Sequence, residues 1–164
     1  MLLNKQHQRG STFSKSLVIG GIILLLSVLG YYGNKAVQSF LGQQAIEQTG
    51  LQLHTLEQAL QLAKSTDKLV LADMSAIWCP SCRKLDQQVF SDTRVKDRLN
   101  QHFVYARIEY DSEAGKSFMQ DYQVTGFPTL LVLNSQGEKL VKLPLSFEAL
   151  PFLSNLEKVV NANP

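Results

Sequence analysis

Sixteen consecutive residues without a charge, Leu17 to Tyr32 (LVIGGIILLLSVLGYY), divide this chain into a part suited to lipid and a part that must fold in water. As a helix the run spans about 24 Å, just short of a hydrocarbon core of ~30 Å. Phe13 before it and Ala36-Val37 after it extend the apolar stretch, Lys15 and Lys35 can snorkel to the headgroups, and Tyr31 and Tyr32 stand where an aromatic belt belongs. An uncleaved signal anchor is preferred to a cleaved signal peptide, because the best small-x-small site, Val28-Leu29-Gly30, lies inside the apolar run. Lys5, Arg9 and Lys15 precede the span and Lys35 alone closely follows it, which predicts a cytoplasmic N-terminus and export of the rest. The expected organisation is a cytoplasmic tail at 1–16, a transmembrane anchor at 17–33, a stalk at 34–50 and a globular domain at 51–164. In the stalk, Val37, Phe40, Leu41, Ala45 and Ile46 recur at helical spacing.

Beyond residue 33 the chain carries 13 Lys and Arg against 14 Asp and Glu. This near-neutral body has no basic stripe for nucleic acid. Its pattern alternates strands and helices. A short strand at 51–54 is followed by a helix at 56–65, opened by the capping box Thr55-x-x-Gln58. A mostly apolar strand at 68–75 contains Asp73, and a helix at 80–89 has Pro80 in its first turn. A short helix carrying Val95 and Leu99, a strand at 103–110 and a helix at 112–122 come next. Strands at 129–133 and 138–143 flank a turn at Ser135-Gln136-Gly137, and a C-terminal helix over 147–160 contains Pro151. This order predicts an α/β fold with a central mixed sheet flanked by helices, preceded by one N-terminal transmembrane helix.

The chemistry concentrates in Trp78-Cys79-Pro80-Ser81-Cys82, which holds both cysteines of the chain. Two cysteines three apart, at the end of a buried strand and the start of a helix, form a dithiol-disulfide pair. The first sulfur meets the free N–H groups of the helix N-terminus, which favour the nucleophilic thiolate. A structural disulfide closing so small a ring constrains little of the unfolded chain. Zinc needs four ligands, whereas His7, His54 and His102 are scattered, and Arg83 stands where haem attachment requires His. No metal or other cofactor is expected besides the Cys79–Cys82 pair itself.

From Leu51 to the C-terminal helix the chain resembles a thioredoxin fold. W-C-P-S-C matches the family's W-C-x-x-C, and Val124-Thr125-Gly126-Phe127-Pro128-Thr129 matches its cis-proline loop. Asp73 through Cys79, with Lys84, Phe90-Ser91-Asp92 and Val95, is most similar to the C-terminal thioredoxin-like domain of bacterial transmembrane thiol:disulfide interchange proteins. The resemblance implies roles. Cys79 attacks a substrate disulfide and Cys82 resolves the mixed disulfide. Asp73 is the buried acid that takes the Cys82 proton, its pKa raised by desolvation. Trp78, Phe127 and a cis Pro128 form the substrate surface, Phe127 offering backbone for strand-like pairing. Pro80, Ser81, Thr125 and Gly126 flank the site. Arg107 stands where some thioredoxins carry a lysine near the buried acid; pairing would lower the acid's pKa, and an exposed strand arginine is the alternative reading.

The implied function is a membrane-anchored thiol-disulfide oxidoreductase of the inner (plasma) membrane. Its catalytic domain would be periplasmic or otherwise extracytoplasmic, and its partners cysteine-containing envelope proteins, the lipid bilayer and a separate membrane electron donor or acceptor. Related couples run from about −270 to −120 mV, so Pro80-Ser81 leaves the direction open; the branch resembled passes electrons outward, which favours a reductant. The alternatives are a non-enzymatic binding or assembly module on the same scaffold and a thiol metal chaperone.

Overall fold

The computed structural model describes residues 9–163, with side chains from Lys15 onward; the first eight residues of the expected tail lie outside the described residues. Helix α1 (Arg9–Thr49) comes first. Among the described residues, those up to Val37 form one unit and those from Gln38 onward a second. In the first unit the apolar side chains from Leu17 to Leu29 are exposed, as are Tyr31 and Tyr32. The stretch Lys15–Thr49 is long and apolar enough to cross a membrane. A helix apolar all round and exposed all round presents the surface that lipid, rather than water, accommodates.

The second unit contains the end of α1, then α2 (Leu56–Thr66), β1 (Leu69–Ser75), α3 (Pro80–Leu85), α4 (Thr93–His102), β2 (Phe103–Glu109), α5 (Glu113–Tyr122), β3 (Thr129–Leu133), β4 (Lys139–Lys142) and α6 (Ala149–Ala162). The four strands form a mixed sheet in the order β2-β1-β3-β4. β2 runs parallel to β1, while β3 is antiparallel to both β1 and β4. β1 is buried along nearly its whole length because helices cover both faces of the sheet, which is why its sequence reads as an apolar run. Leu71, Tyr105, Leu130 and Val132 join Leu85, Val89, Phe90, Leu99, Phe152 and Leu156 in one core layer. Val70, Ala72, Met74, Ala106, Leu131 and Leu133 join Ala59, Ala63 and Phe118 in the other. β4 closes one edge with exposed Lys139 and Lys142, charges that discourage further strand pairing.

Three boundaries differ from the sequence expectation, each for a local reason. Leu51–His54 is not a strand: His54 makes a single parallel bridge to Ala106. The extended segment ends there because the Thr55 N–H is taken by Gln58 Oε1 at 3.1 Å and the Gln58 N–H by Thr55 Oγ1 at 3.2 Å, starting α2. The helix expected over 80–89 is α-helical only to Leu85 and continues as a π-helical turn, Asp86–Phe90. The wider turn brings Leu85, Asp86, Val89 and Phe90 all inward. Pro151 lies in the first turn of α6, where its missing N–H costs no helical bond, and the helix follows without interruption. The turn between β3 and β4 is organised by Asn134, whose Oδ1 accepts from the Gln136 and Glu138 N–H groups, with Gly137 at φ +85°.

Phe90 sits at the junction of the π-turn, the sheet and α6, fully buried and edge-on to both Tyr105 and Phe152. Phe90→Ala is expected to cost about 3–5 kcal/mol, measured as the loss in urea stability followed by Trp78 fluorescence. A loss below ~1 kcal/mol would contradict this packing.

Candidate active site

β1 ends at Ser75, and the turn Ala76–Cys79 leads directly into α3. The turn is closed by the Cys79 N–H donating to the Ala76 carbonyl at 3.0 Å. Cys79 is the N-cap of α3: its backbone is extended, and its Sγ accepts from the Cys82 N–H at 3.1 Å. Pro80 follows at the first helical position, where no N–H is needed. Ser81 Oγ lies 3.1 Å from Cys79 Sγ. Both cysteines are free thiols, Cys79 4% exposed and Cys82 1%. Burial first, and then the neighbouring Cys79 sulfur, push the Cys82 thiol up to about 12, against the pull of the Ser75 hydroxyl and the Ala76 backbone. Cys82 therefore holds its proton at neutral pH.

An aromatic wall flanks the pair. Trp78 meets Phe127 edge-on with ring centroids 5.4 Å apart, and Phe127 leans on Tyr110 at 4.5 Å. The indole N–H of Trp78 donates to Asp111 Oδ2 at 2.8 Å. The Phe127–Pro128 peptide is cis. Gly126 contributes its carbonyl to Thr129 Oγ1 at 2.8 Å, while Thr125 faces solvent. The Ile77 N–H donates to both carboxylate oxygens of Glu109, at 3.2 and 3.1 Å.

Asp73 is 1% exposed, so it is not a solvent-facing strand residue. Parallel pairing places Arg107 directly opposite it on β2. Arg107 Nη1 donates to Asp73 Oδ2 at 3.3 Å and to Asp86 Oδ1 at 2.7 Å, and the Tyr105 hydroxyl donates to Asp73 Oδ2 at 2.6 Å. Asp73 Oδ1 and Asp86 Oδ2 have no hydrogen-bond partner among the described residues. Arg107 thus pairs with the buried acid, yet burial outweighs the guanidinium and the Tyr105 hydroxyl, and the Asp73 carboxyl is still raised. Burial likewise lifts Asp86 to about 6 against the pull of Arg107. One guanidinium cannot fully compensate two buried carboxylates, so the cluster favours keeping a proton. The side chain that acts directly on the Cys82 sulfur from β1 is Ser75, two residues beyond Asp73 on the same strand face.

A model of the thioredoxin-like domain matches residues 56–147. This chain belongs to the thioredoxin-like family. Within it, the chain is 29% identical over 106 residues to the thiol:disulfide interchange protein DsbD of Pasteurella multocida and 30% identical over 109 residues to DsbD of Vibrio vulnificus. These matches cover 63% and 65% of this chain but only 18% of each relative, so the chain spans about a fifth of the length of those proteins. Among solved structures, a putative disulphide-isomerase from Bacteroides thetaiotaomicron is 31% identical with a TM-score of 0.59, over 70% of this chain and 94% of that one. A thioredoxin from Thermus thermophilus is 28% identical with a TM-score of 0.61, over 67% and 87%. The thioredoxin-like assignment places the chain in a disulfide oxidoreductase and isomerase family, one that works through a redox-active cysteine pair.

The site also contains residues the sequence reading did not single out: Tyr105, Asp86, Glu109 and Asp111. Ser75 and Glu109 are register partners at the C-terminal ends of two parallel strands. That topology was the available signal for Glu109 and, two residues on, Asp111, because loops leaving the same ends of adjacent parallel strands meet. Asp86 gave no such signal, because its inward direction depends on the π-turn.

The folded-state value of Asp86, about 6, lies above its ordinary 3.8. The folded state therefore binds the proton more tightly; this contribution to stability is complete below pH ~4 and is lost as pH rises through ~6. The urea midpoint of the native chain is expected to fall across that interval, and Asp86→Asn should flatten the fall, leaving the part due to Asp73. Superimposable pH profiles for the two proteins would contradict the assignment.

Proposed function

We propose that this chain is a membrane-anchored thiol-disulfide oxidoreductase that reduces disulfides of exported proteins. The observation that carries this reading is the asymmetry of the dithiol: Cys79 caps the first turn of α3 beside the cis-Pro128 loop, while Cys82 is deeper and protonated. Cys79, as thiolate, attacks one sulfur of a substrate disulfide and releases the other as a thiolate, giving a mixed disulfide. Cys82 then loses its proton and attacks Cys79 Sγ. The second substrate sulfur departs as a thiolate, and Cys79–Cys82 is left as a disulfide, having given up two electrons.

The raised Asp73 carboxyl, with Oδ1 open, is suited to accept the Cys82 proton at that step, and Tyr105 and Arg107 hold it in place. Trp78, Phe127 and Pro128 supply the surface that receives the substrate backbone. The apolar helix supports an anchor, and the basic flank before it supports a cytoplasmic N-terminus with an extracytoplasmic catalytic domain. DsbD is named a thiol:disulfide interchange protein; by that likeness the oxidised pair would be re-reduced by a separate membrane protein carrying its own dithiol.

Reduction of insulin by the full chain with dithiothreitol is expected to be lost, by at least about a hundredfold, in Cys79→Ser. Cys82→Ser should accumulate mixed disulfides on Cys79, separable by non-reducing electrophoresis. Insulin reduction undiminished in Cys79→Ser, or captured partners confined to cytoplasmic proteins, would refute the reading.

A further inference from the structure

Helix α1 enters the globular unit at Gln38, and the face it turns inward is Gln38, Gly42, Ala45, Ile46 and Thr49. Two bulky apolar residues of the stretch point elsewhere, Phe40 62% exposed and Leu41 36%, whereas Ile46 is buried. Ala45 and Ile46 bury apolar surface, and the glycine between them and Gln38 lets two backbones approach closely. At Gly42 they do. A Cβ there would lie 1.9 Å from the Ile77 carbonyl oxygen and 3.0 Å from its carbon, so no side chain fits without displacing that peptide. One turn earlier on the same face, Gln38 Oε1 accepts a hydrogen bond from Arg83 Nη1 at 2.6 Å.

Ile77 stands two residues before Cys79, and Arg83 directly follows Cys82. α1 therefore touches the chain on both sides of the dithiol. The N–H of Ile77 is held by Glu109 and its carbonyl is backed by Gly42, so the peptides on either side of this residue are fixed from two directions. The Cys79 N–H bonds to Ala76 across this turn. A shift of Ile77 is thus passed to the Cys79 backbone and to the alignment of Cys79 Sγ with the Cys82 N–H.

We propose that the Gln38–Thr49 stretch of α1 is a positioning element of the active site, in which Gly42 and Gln38 set the dithiol turn through Ile77 and Arg83 and so tune the Cys79–Cys82 redox equilibrium. The proposal rests on the reading of these cysteines as the reacting pair. The hydrogen bond from Cys82 N–H to Cys79 Sγ belongs to the reduced form, so loosening the turn weakens that form relative to the disulfide. In the equilibrium with glutathione, the Cys79–Cys82 disulfide and two glutathione thiols exchange with the dithiol and one glutathione disulfide. The position of this balance reads the effect directly.

The test uses the full chain in detergent micelles, with the thiol and disulfide fractions quantified at fixed ratios of reduced to oxidised glutathione. Gly42→Ala and Gln38→Leu are each expected to shift the balance about threefold or more toward the disulfide, equivalent to ~14 mV for a two-electron couple. Gln38→Glu keeps an acceptor for Arg83 and should stay within error of the native chain. Gly33→Ala, where an added Cβ meets nothing within 4 Å, should also match it. Thermal melts establish that each variant is folded, and if Gly42→Ala is not, Gln38→Leu decides. Native equilibria in both Gly42→Ala and Gln38→Leu would overturn the proposal, as would a Gln38→Glu shifted as far as Gln38→Leu. Insulin reduction by the native chain separates the two claims: its absence counts against the proposed function, whereas the glutathione balance still reports on the positioning element.

Discussion

One hydrogen bond organises the site: the Cys82 N–H donated to Cys79 Sγ at the start of α3. A helix must satisfy its first N–H groups from outside itself, and here the cap is a sulfur rather than the usual oxygen. The atom that satisfies the helix terminus is the sulfur of the cysteine proposed to attack the substrate. Everything nearby serves to keep that atom in place: β1 delivers it to the end of the sheet, Pro80 starts the helix without needing an N–H, and Glu109 and Gly42 fix the turn before it.

A second constraint is the buried group of Asp73, Asp86, Arg107 and Tyr105, built on the strands and the turn that flank the dithiol in sequence. A chain selected for stability alone would gain little from two carboxylates sharing one guanidinium in a core layer. Both carboxyls are raised, and each keeps one oxygen with no partner among the described residues. Under the proposed function such a group can take up a proton when Cys82 reacts, and it ties the stability of the fold to pH.

Much of this was legible in the sequence because the main elements are governed by local rules. The capping box at Thr55, the apolar run of β1 and the Trp-Cys-Pro-Ser-Cys junction each pointed to one structure. What escaped depended on contacts that no local pattern encodes. The π-turn turned Asp86 inward, and a single bridge replaced the strand at 51–54. The fate of residues 38–49 is the instructive case. The helical spacing of Val37, Phe40, Leu41, Ala45 and Ile46 suggested a stalk, with the domain starting near Leu51. Of these, Ala45 and Ile46 do turn inward, but beside them stand Gln38, Gly42 and Thr49, and the close approach of Gly42 to the Ile77 carbonyl is something a hydropathy pattern cannot register. Arg107 could be read as a buried partner of Asp73 or as a solvated strand residue, and only the parallel register of β1 and β2 decides for the former.

The proposed function requires the two thiols to differ, Cys79 reacting first while burial holds Cys82 protonated, its thiol pushed up to about 12. The most direct measurement is competitive labelling of the reduced full chain with limiting iodoacetamide at pH 7, followed by peptide mass spectrometry. The label is expected on Cys79, with Cys82 unmodified until the protein is denatured. Equal labelling of the two cysteines in the folded protein, or modification of Cys82 first, would contradict it.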